Sequence, residues 1–446
     1  MSKRGVAVLG LALTCAQASA AVYTVGPGGS HATPQAAVDA AFANPGPDEV
    51  RLREGPLSAS ILIAGNLQGN DLSLSGGWDA AYASNAGQAT TLDAGGSVAV
   101  LRASLSGGNL QLSKLRLLGG AAASQPAGLS LALSGFATAL VGEVEVANGA
   151  VTGGSAGCIG LDARDDSQLY LYDSAVHDCS NGSAGPGGAT AAGLKALAQG
   201  RAAIVIDSLQ AHHNLAQAST QAGGAGVSLT ASQQAGLVLR ASRIHANTAS
   251  APGVFGAGLA VSLSGSASAT LARLEIHDNL APLAGSGTAQ AGLTAADSSM
   301  LRMHSSLLRD GPQRGLTAST SSAEARVHLH NLSIVQHAER GFAVFGPTGG
   351  QTLHNSIVQD NGLPTALPAG AGDHNLGDDL GLANAVFVGA GDFRLAPGSP
   401  GIDAGTASVP LGLAFTDLIG EAREQGLAVD IGAYERPAPL FLSGFE

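Results

Sequence analysis

Gly226-Val-Ser-Leu-Thr-Ala231, followed by Ala235-Gly-Leu-Val-Leu-Arg-Ala-Ser-Arg-Ile-His-Ala-Asn247, is one copy of a motif that this 446-residue chain repeats. Leu237 and Leu239 recur there with a period of two, which is typical of a half-buried strand, and helical spacing is absent. The motif returns at spacings of 23 to 34 residues, at Gly128, Gly160, Gly193, Gly226, Gly258, Gly292, Gly315 and Gly341. Repetition at this period predicts a solenoid whose coils bury their apolar faces on one another.

A histidine and asparagine motif closes most coils. It occurs at Val176–Cys179, Ala211–Asn214, Ile244–Asn247, Ile276–Asn279 and, with Gln359 in place of histidine, at Val358–Asn361. Asparagine tolerates the left-handed conformation and bonds its own backbone. We therefore expect Asn214, Asn247 and Asn279 to form an internal ladder at a tight turn, interrupted where the chain carries Cys179, Gly311 and Ala338.

The longer coils carry roughly ten extra residues after the asparagine position, and lengthening a surface loop costs little free energy. These stretches are rich in Gly, Ala, Ser and Pro and should leave one corner of the solenoid as loops. They are either one wall of a cleft or plain surface. The stretches are Ser180–Ala192, Ala216–Ala225, Thr248–Ala257 and Leu280–Ala291.

The first twenty residues have the pattern of a secretory signal peptide. Lys3 and Arg4 precede the apolar run Gly5–Thr14, and Ala18-Ser-Ala20 predicts cleavage after Ala20. No later apolar run is long enough to span a membrane. Removing Lys3 and Arg4 leaves 19 basic and 33 acidic side chains, a formal charge of −14. This balance argues against nucleic acid as a partner.

Cys158 and Cys179 remain after cleavage. In an exported chain two cysteines can form a disulfide. Their separation of 21 residues is most of one coil and need not return the chain to the same place. Two buried thiols on different sides of a coil are the alternative.

With these features the chain resembles the right-handed parallel β-helix proteins of the pectin-lyase-like superfamily. Tyr23-Thr-Val-Gly-Pro-Gly-Gly29 and Thr33-Pro-Gln-Ala-Ala-Val-Asp-Ala-Ala41 are similar to the first strand and capping helix of that family. The resemblance implies an all-β, right-handed parallel β-helix with a short N-terminal capping helix. We expect the strand and capping helix in 21–48, the coils in 49–391 and a separate C-terminal region in 392–446.

The C-terminal part is similar to the choice-of-anchor Q domain of bacterial surface or secreted β-helix proteins. The resemblance rests on Asp392–Gly405, Asp417, Arg423 and Val429–Glu435, and Leu440–Glu446 resembles a short tail of exported proteins. The charged residues of this part form either a salt-bridged cap or a catalytic group. They are Asp403, Asp417, Arg423, Asp430 and Glu435.

Aligning the coils on the histidine and asparagine motif predicts which strand residues point outward. One outward row reads Tyr172, Asp207, Arg240, Ala272, His304, His330 and His354, and the next reads Tyr170, Val205, Val238, Thr270, Arg302, His328 and Thr352. Neighbouring coils lie about 4.8 Å apart, so the rows predict one solvent-facing basic patch. It comprises Arg302, His304, His328, His330 and His354. The patch is a solvated face, a site for an anionic glycan or, through its imidazoles, a transition-metal site.

An acidic cluster beside Tyr170 and Tyr172 is the second candidate site. Paired carboxylates serve as acid and base in glycoside cleavage or hold calcium in a lyase, whereas turn chemistry explains the same residues without a function. The candidate catalytic residues are Asp165, Asp166 and Asp173, with Asp162 nearby. Of the phrases typical of polygalacturonases, only the Asp165–Asp166 pair occurs. No cofactor is predicted, and calcium is an option only if the protein is a lyase.

These observations predict a secreted or cell-surface β-helix protein with a structural, adhesive or glycan-contacting role. Its partner would be a polysaccharide or cell-surface glycan. The alternative is a diverged polysaccharide lyase or glycoside hydrolase that acts on an acidic glycan.

Overall fold

The computed structural model describes residues 20–153, 157–183, 191–283, 288–347, 349–365, 367 and 370–437. The predicted signal peptide up to residue 19, parts of two long loops and the tail Leu440–Glu446 lie outside the described residues. Within the described ranges, no helix has the length and apolar character needed to cross a membrane. The chain forms a parallel β-helix, which confirms the predicted fold class.

The described residues form a 17-stranded sheet along one side of the solenoid. Its strands pair in parallel from coil to coil. They are Val22–Val25, Asp48–Arg53, Gly55–Ser58, Leu72–Trp78, Thr90–Asp93, Asn109–Leu118, Thr138–Ala147, Gln168–His177, Ala203–His212, Gly236–Arg240, Arg243–His245, Ser268–Ala272, Glu275–His277, Met300–Gly311, Arg326–His337, Gln351–His354 and Ile357–Gln359.

A ten-stranded parallel sheet faces it across the apolar core. Its strands are Ile61–Gly65, Leu101–Leu105, Leu129–Leu133, Ile159–Ala163, Leu194–Ala198, Val227–Ala231, Leu259–Leu263, Ala289–Ala295, Arg314–Thr320 and Phe342–Phe345. A five-stranded sheet closes the cross-section with Ala121–Ala122, Ala150–Val151, Ser180–Ser183, Leu215–Ala218 and Thr248–Ser250. Two small pairs, Gln221–Ala222 with Gly253–Val254 and Phe387–Gly389 with Asp392–Leu395, complete the described strands.

The two ends of the solenoid are covered by different structures. At the N-terminal end, helix Pro34–Ala43 buries Ala37, Val38 and Ala41, and the Thr33 hydroxyl accepts a hydrogen bond from the Ala36 N–H. At the other end, the C-terminal region, defined here as residues 370–437, includes the 3₁₀ helix Asp378–Leu380. It packs on the outer face of the 17-stranded sheet and covers three outward apolar residues, Leu307, Val335 and Ile357.

The predicted asparagine ladder is present inside one corner of the coils. Asn214 Nδ2 donates to Asn247 Oδ1 and Asn247 Nδ2 donates to Asn279 Oδ1, both at 2.9 Å. The left-handed residue is the one before each asparagine, for example Ala246 at φ 52°. The asparagines therefore bond to one another across coils rather than forming the turn themselves.

The ladder continues past Gly311 because other side chains take the place of asparagine. Asn279 Nδ2 donates to Gln290 Oε1 at 3.2 Å, Gln290 Nε2 lies 2.9 Å from His337 Nε2, and His337 Nδ1 lies 2.9 Å from Asn361 Oδ1. Strand pairing aligns Gly311 with His337. The prediction that Ala338 interrupts the ladder is therefore wrong, because His337 occupies that position.

Gly160 and Gly292 are two residues out of register with the other motif glycines. Gly160 pairs with Ser130, and Gly292 pairs with Ala260. The positions equivalent to glycine in those coils are Cys158 and Gln290. Repeating glycines alone therefore misaligned two coils, because a different side chain fills the corner there.

A large ladder side chain and the glycine position face each other across the corner. In most coils these positions are 21 residues apart, as for Gly226 and Asn247 or Gly258 and Asn279. A Cβ added to Gly258 would lie 2.5 Å from Asn279 Cγ. Where the ladder position is Gly311, the opposite position holds Gln290, so the corner contains one large side chain in either arrangement.

Cys158 and Cys179 occupy these two facing positions and form a buried disulfide, with their Cα atoms 6.1 Å apart. Of the two alternatives that the sequence left open, a disulfide and two separate buried thiols, the structure has the disulfide. A separation of 21 residues does return the chain to the same corner.

We expect Gly258→Ala to destabilise the protein by about 1–3 kcal/mol, because its Cβ would overpack the corner against Asn279. The matched control is Gly236→Ala, whose Cβ would meet nothing within 4 Å, and a change of about 0.5 kcal/mol or less is expected there. Denaturant unfolding measures both.

The corner also makes a rescue possible. Gly258→Gln should destabilise the protein on its own, and the double variant Gly258→Gln/Asn279→Gly should recover most of the loss by reproducing the Gln290 and Gly311 arrangement. Equal stability of the single and double variants would contradict this account of the corner.

Candidate functional site

The outward rows of the 17-stranded sheet have the predicted register. The six residues expected to point inward are at most 2% exposed: Leu169, Leu171, Leu237, Leu239, Leu301 and Met303. Strand pairing aligns Tyr172, Asp207, Arg240, Ala272, His304, His330 and His354 in one row. It aligns Tyr170, Val205, Val238, Thr270, Arg302, His328 and Thr352 in the other.

The basic residues at the end of these rows do lie together. Arg302 Nε donates to His330 Nε2 at 2.9 Å, and the His304 and His330 rings stack with their centroids 5.2 Å apart. His328 Nδ1 lies 3.0 Å from the Thr352 hydroxyl. The arrangement is a hydrogen-bonded cluster of neutral imidazoles beside one arginine.

The C-terminal region covers part of this patch, which corrects the expectation of a solvent-facing surface: His330 is buried, whereas Arg302, His304, His328 and His354 are partly exposed. The C-terminal region lies over it: Arg302 donates to the Gly412 carbonyl, and the Asn331 amide donates to the Asp430 carbonyl at 3.1 Å. His330 is 0% exposed. Burial lowers the pKa of His330 to about 3 and that of His304 to about 2. The patch therefore serves as a docking surface for the C-terminal region.

His354 lies at the edge of the same covering contact. Its Nδ1 is 2.7 Å from Asp373 Oδ1. The hydrogen bonds from His354 and His374 lower the pKa of Asp373. Within the described residues, no three His, Cys, Asp or Glu side chains are arranged to hold a metal ion. The transition-metal interpretation of the patch therefore has no support in the structure.

The other predicted ligand-binding residues lie on the uncovered part of the sheet. Arg240 Nε donates to Asp207 Oδ2 at 2.7 Å, and the Tyr170 hydroxyl donates to Gln168 Oε1 at 2.8 Å. The Tyr172 ring lies over Gly142, where an added Cβ would overlap it. These groups are satisfied by their own neighbours and form no concave site with one another.

The candidate carboxylates are separated. Asp166 accepts two hydrogen bonds from Arg201, at 2.6 and 2.7 Å, and this pairing lowers its pKa. Asp165 accepts from the Gly135 N–H at 3.0 Å. Asp173 follows a five-residue stretch of strand and lies on the order of 20 Å from that pair. This exceeds the separation of roughly 5–10 Å in glycosidases, so turn chemistry accounts for these residues.

The charged residues of the C-terminal region bond mainly to its own backbone. Arg423 is 1% exposed and donates to the Ala433 carbonyl at 2.7 Å. Asp417 accepts from the Glu421 N–H at 2.8 Å, and Glu435 accepts from the Asp430 N–H at 3.0 Å. Burial raises the pKa of Glu435 to about 7. These contacts favour the structural-cap interpretation.

A cleft on the outer face of the ten-stranded sheet was missed by the sequence analysis. Its volume is about 320 Å³, within the range of small-ligand sites. The polar side chains and glycine that line it include Arg102, Ser104, Ser130, Gly160, Asp162 and Lys195, and Gln125 and Pro126 form one wall. An added Cβ at Gly160 would overlap Pro126, so this glycine allows the loop to close on the sheet.

Two cations lie at opposite ends of this cleft. One outward row runs from Arg102 through Ser130 and Gly160 to Lys195. The Cα atoms of Arg102 and Lys195 are therefore three strand spacings, about 14 Å, apart. Neither side chain makes a hydrogen bond or ion pair with any described residue. The cleft thus presents two cationic side chains without an ion-pair partner on an acidic protein, with the Asp162 carboxylate also in its lining.

Lys195 has the more altered chemistry of the two. Half-burial lowers its pKa, and the nearby Asp162 carboxylate opposes that shift. Asp162 is itself held by Arg164, at 2.9 Å from Nε and 2.7 Å from Nη2. Asp162 therefore forms its ion pair with Arg164 and acts on Lys195 only at a longer distance.

The sequence contained a signal for this cleft. Lys195 follows the motif glycine Gly193, and Asp162 follows Gly160, on strands whose alternation was already recognised. Applying the outward-row argument to this second sheet would have placed both side chains on its outer face. The loop wall at Pro126 has no such pattern, because its position depends on how the loop folds.

Comparisons with solved structures give matches of low sequence identity. The chain aligns with the crystal structure of a pectate lyase at 14% identity and a TM-score of 0.49, covering 93% of this chain and 96% of that one. It also aligns with the A-module of a mannuronan C-5 epimerase from Azotobacter vinelandii at 16% identity and a TM-score of 0.31, covering 76% and 94%. No protein-family model and no curated protein matches the sequence. The fold therefore rests on the strand pairing described above.

Proposed function

We propose that this chain is an exported β-helix protein that binds an acidic polysaccharide in the cleft between Arg102 and Lys195, in a structural or adhesive role at or beyond the cell surface. The observation that carries the proposal is the pair of cationic side chains, neither in an ion pair, in a concave site. Carboxylates of a uronate-containing glycan would pair with them. Ser104 and Ser130 add hydroxyl groups beside the cations.

Three further observations support export. The N-terminal twenty residues have a signal-peptide pattern, and Cys158 is bonded to Cys179, as is typical of proteins from oxidising compartments. The similarity of residues 392–435 to the choice-of-anchor Q domain suggests retention near the cell surface. The net charge of −12 disfavours nucleic acid as the anion in the cleft.

Binding to polygalacturonate tests this proposal. We expect Arg102→Ala and Lys195→Ala each to weaken binding about tenfold or more, the loss expected for a hydrogen bond to a charged group. Binding should also weaken as salt increases. Calorimetric titration with polygalacturonate and with a neutral galactan measures both effects.

The matched control is Arg240→Ala, which removes an arginine from the 17-stranded sheet. It should leave binding unchanged. If Arg240→Ala loses binding and Arg102→Ala retains it, the glycan binds to the 17-stranded sheet and the proposed cleft is wrong. Equal binding of the neutral galactan would contradict an acidic ligand.

Lys195 favours a second candidate function, β-elimination in an acidic glycan. Its lowered pKa increases the neutral amine, the form that removes a proton from the carbon next to a carboxylate. Among the residues that the structure describes, no three His, Cys, Asp or Glu side chains are arranged to hold a metal ion, so added calcium or a cation of the cleft would stabilise the charge that develops.

This candidate predicts unsaturated uronate product from polygalacturonate, detected by ultraviolet absorbance with and without calcium. The rate should rise with pH as Lys195 loses its proton. Lys195→Ala should lower the rate about 10²-fold or more, while Asp166→Ala should leave it unchanged. If activity survives Lys195→Ala and disappears in Asp166→Ala, the reaction takes place at the turn that contains Asp165 and Asp166, and Lys195 is not the base.

A further inference from the structure

Four histidines stack along the outer surface of the 17-stranded sheet. His177, His212, His245 and His277 pair in register from coil to coil. Their ring centroids are 4.9, 5.1 and 4.9 Å apart, and the planes differ by 4°, 17° and 3°. We call these four residues the histidine stack.

The two end rings have carboxylate partners. His177 Nδ1 lies 2.7 Å from Asp178 Oδ2, and its Nε2 lies 3.2 Å from Glu145 Oε1. His277 Nδ1 lies 2.7 Å from Asp278 Oδ2. A proton added to either end ring is therefore balanced by a neighbouring negative charge.

The two inner rings have no carboxylate within contact distance. His212 Nδ1 lies 2.8 Å from His213 Nδ1, and the ring nitrogens of His245 make no hydrogen bond to a described residue. Each inner ring has an imidazole on both sides, and Arg243 precedes His245 on the same face. A proton added to His245 meets only imidazoles and Arg243, whereas at His212 the Asp178 carboxylate offsets part of the repulsion from the neighbouring imidazoles.

The remaining charged groups around the stack are already paired. Glu275 accepts from Arg243 at 2.8 Å and from Arg309 at 2.8 Å, and Arg309 also contacts Asp310. Tyr434 of the C-terminal region is close enough to Glu275 for the carboxylate to help raise the tyrosine pKa. None of these groups is free to neutralise an inner imidazolium.

Burial and the neighbouring imidazoles lower the pKa of His212 and lower that of His245 to about 4. The folded coil therefore favours the neutral rings, while an unfolded coil takes up protons at the ordinary histidine pKa. Stability from this source is fully present above pH 6.5, and it is lost as the pH falls from 6.5 towards 4.

We propose that the histidine stack is an acid-responsive element: protonation of its inner rings, His212 and His245, puts like charges on faces 5.1 Å apart and opens the adjoining corner. The corner consists of Leu209–Ala218 and Arg243–Ser250, where the chain passes from the 17-stranded to the five-stranded sheet. The end rings keep their carboxylate partners, so opening begins at the centre of the stack.

Amide hydrogen exchange at neutral pH and near pH 4.5, corrected for intrinsic rates, tests the proposal. In the wild type, peptides covering 209–218 and 242–250 should lose protection about tenfold at the lower pH, the change that one pKa unit produces. His212→Gln/His245→Gln should show no such loss. His374→Gln, outside the stack, is the matched control and should behave like the wild type.

His304, His330 and His337 stay in every variant, so acid effects at their coils provide an internal reference. Equal loss of protection in the wild type and the double variant would overturn the proposal. If the double variant does not fold, imidazole proton shifts in the wild-type protein decide the question. Titration of His212 and His245 at or above the ordinary histidine pKa would overturn it.

Discussion

The interior corner holds one large side chain opposite a glycine in most of the described coils, and the contacts that this side chain makes link neighbouring coils. Asparagine opposite glycine, glutamine opposite glycine and cysteine bonded to cysteine are three ways of filling the corner. The amides form a continuous hydrogen-bonded series from Asn214 through Gln290 to Asn361. A buried amide without a partner is costly. Slipping one coil against the next would break this series, so the ladder fixes the register.

A fixed register determines which side chains share an outer surface. On the 17-stranded sheet it brings together Arg302, His304 and His330, and it stacks four histidines further along the solenoid. The C-terminal region then covers part of the first group and leaves the histidine stack and the ten-stranded sheet uncovered. The cleft at Lys195 follows from the same register and from a loop that closes on Gly160. The outer faces of one repeated coil thus differ mainly in what lies over them.

Period-two alternation predicted the inward leucines and both outward rows correctly, because alternation depends only on the local backbone. The glycine repeat was less reliable. It misplaced Gly160 and Gly292 by two residues, since Cys158 and Gln290 occupy the corner in those coils. A two-residue shift keeps the same face inward, so the alternation gave no warning of the error. The separation of 21 residues between facing corner positions would have aligned these coils and paired the two cysteines.

The amino-acid sequence by itself determined the parallel β-helix, the asparagine ladder and the faces of the strands, because each follows from contacts between neighbouring coils that repeat along the chain. The N-terminal capping helix lies outside the repeat and was expected from a local resemblance at Thr33–Ala41. Only the tertiary structure decided that the C-terminal region covers part of the basic patch, that Cys158 meets Cys179, and that Arg102 and Lys195 share a cleft. Those outcomes depend on segments without repetition, namely the C-terminal region and the loop at Pro126, whose packing against the coils has no periodic pattern in the sequence.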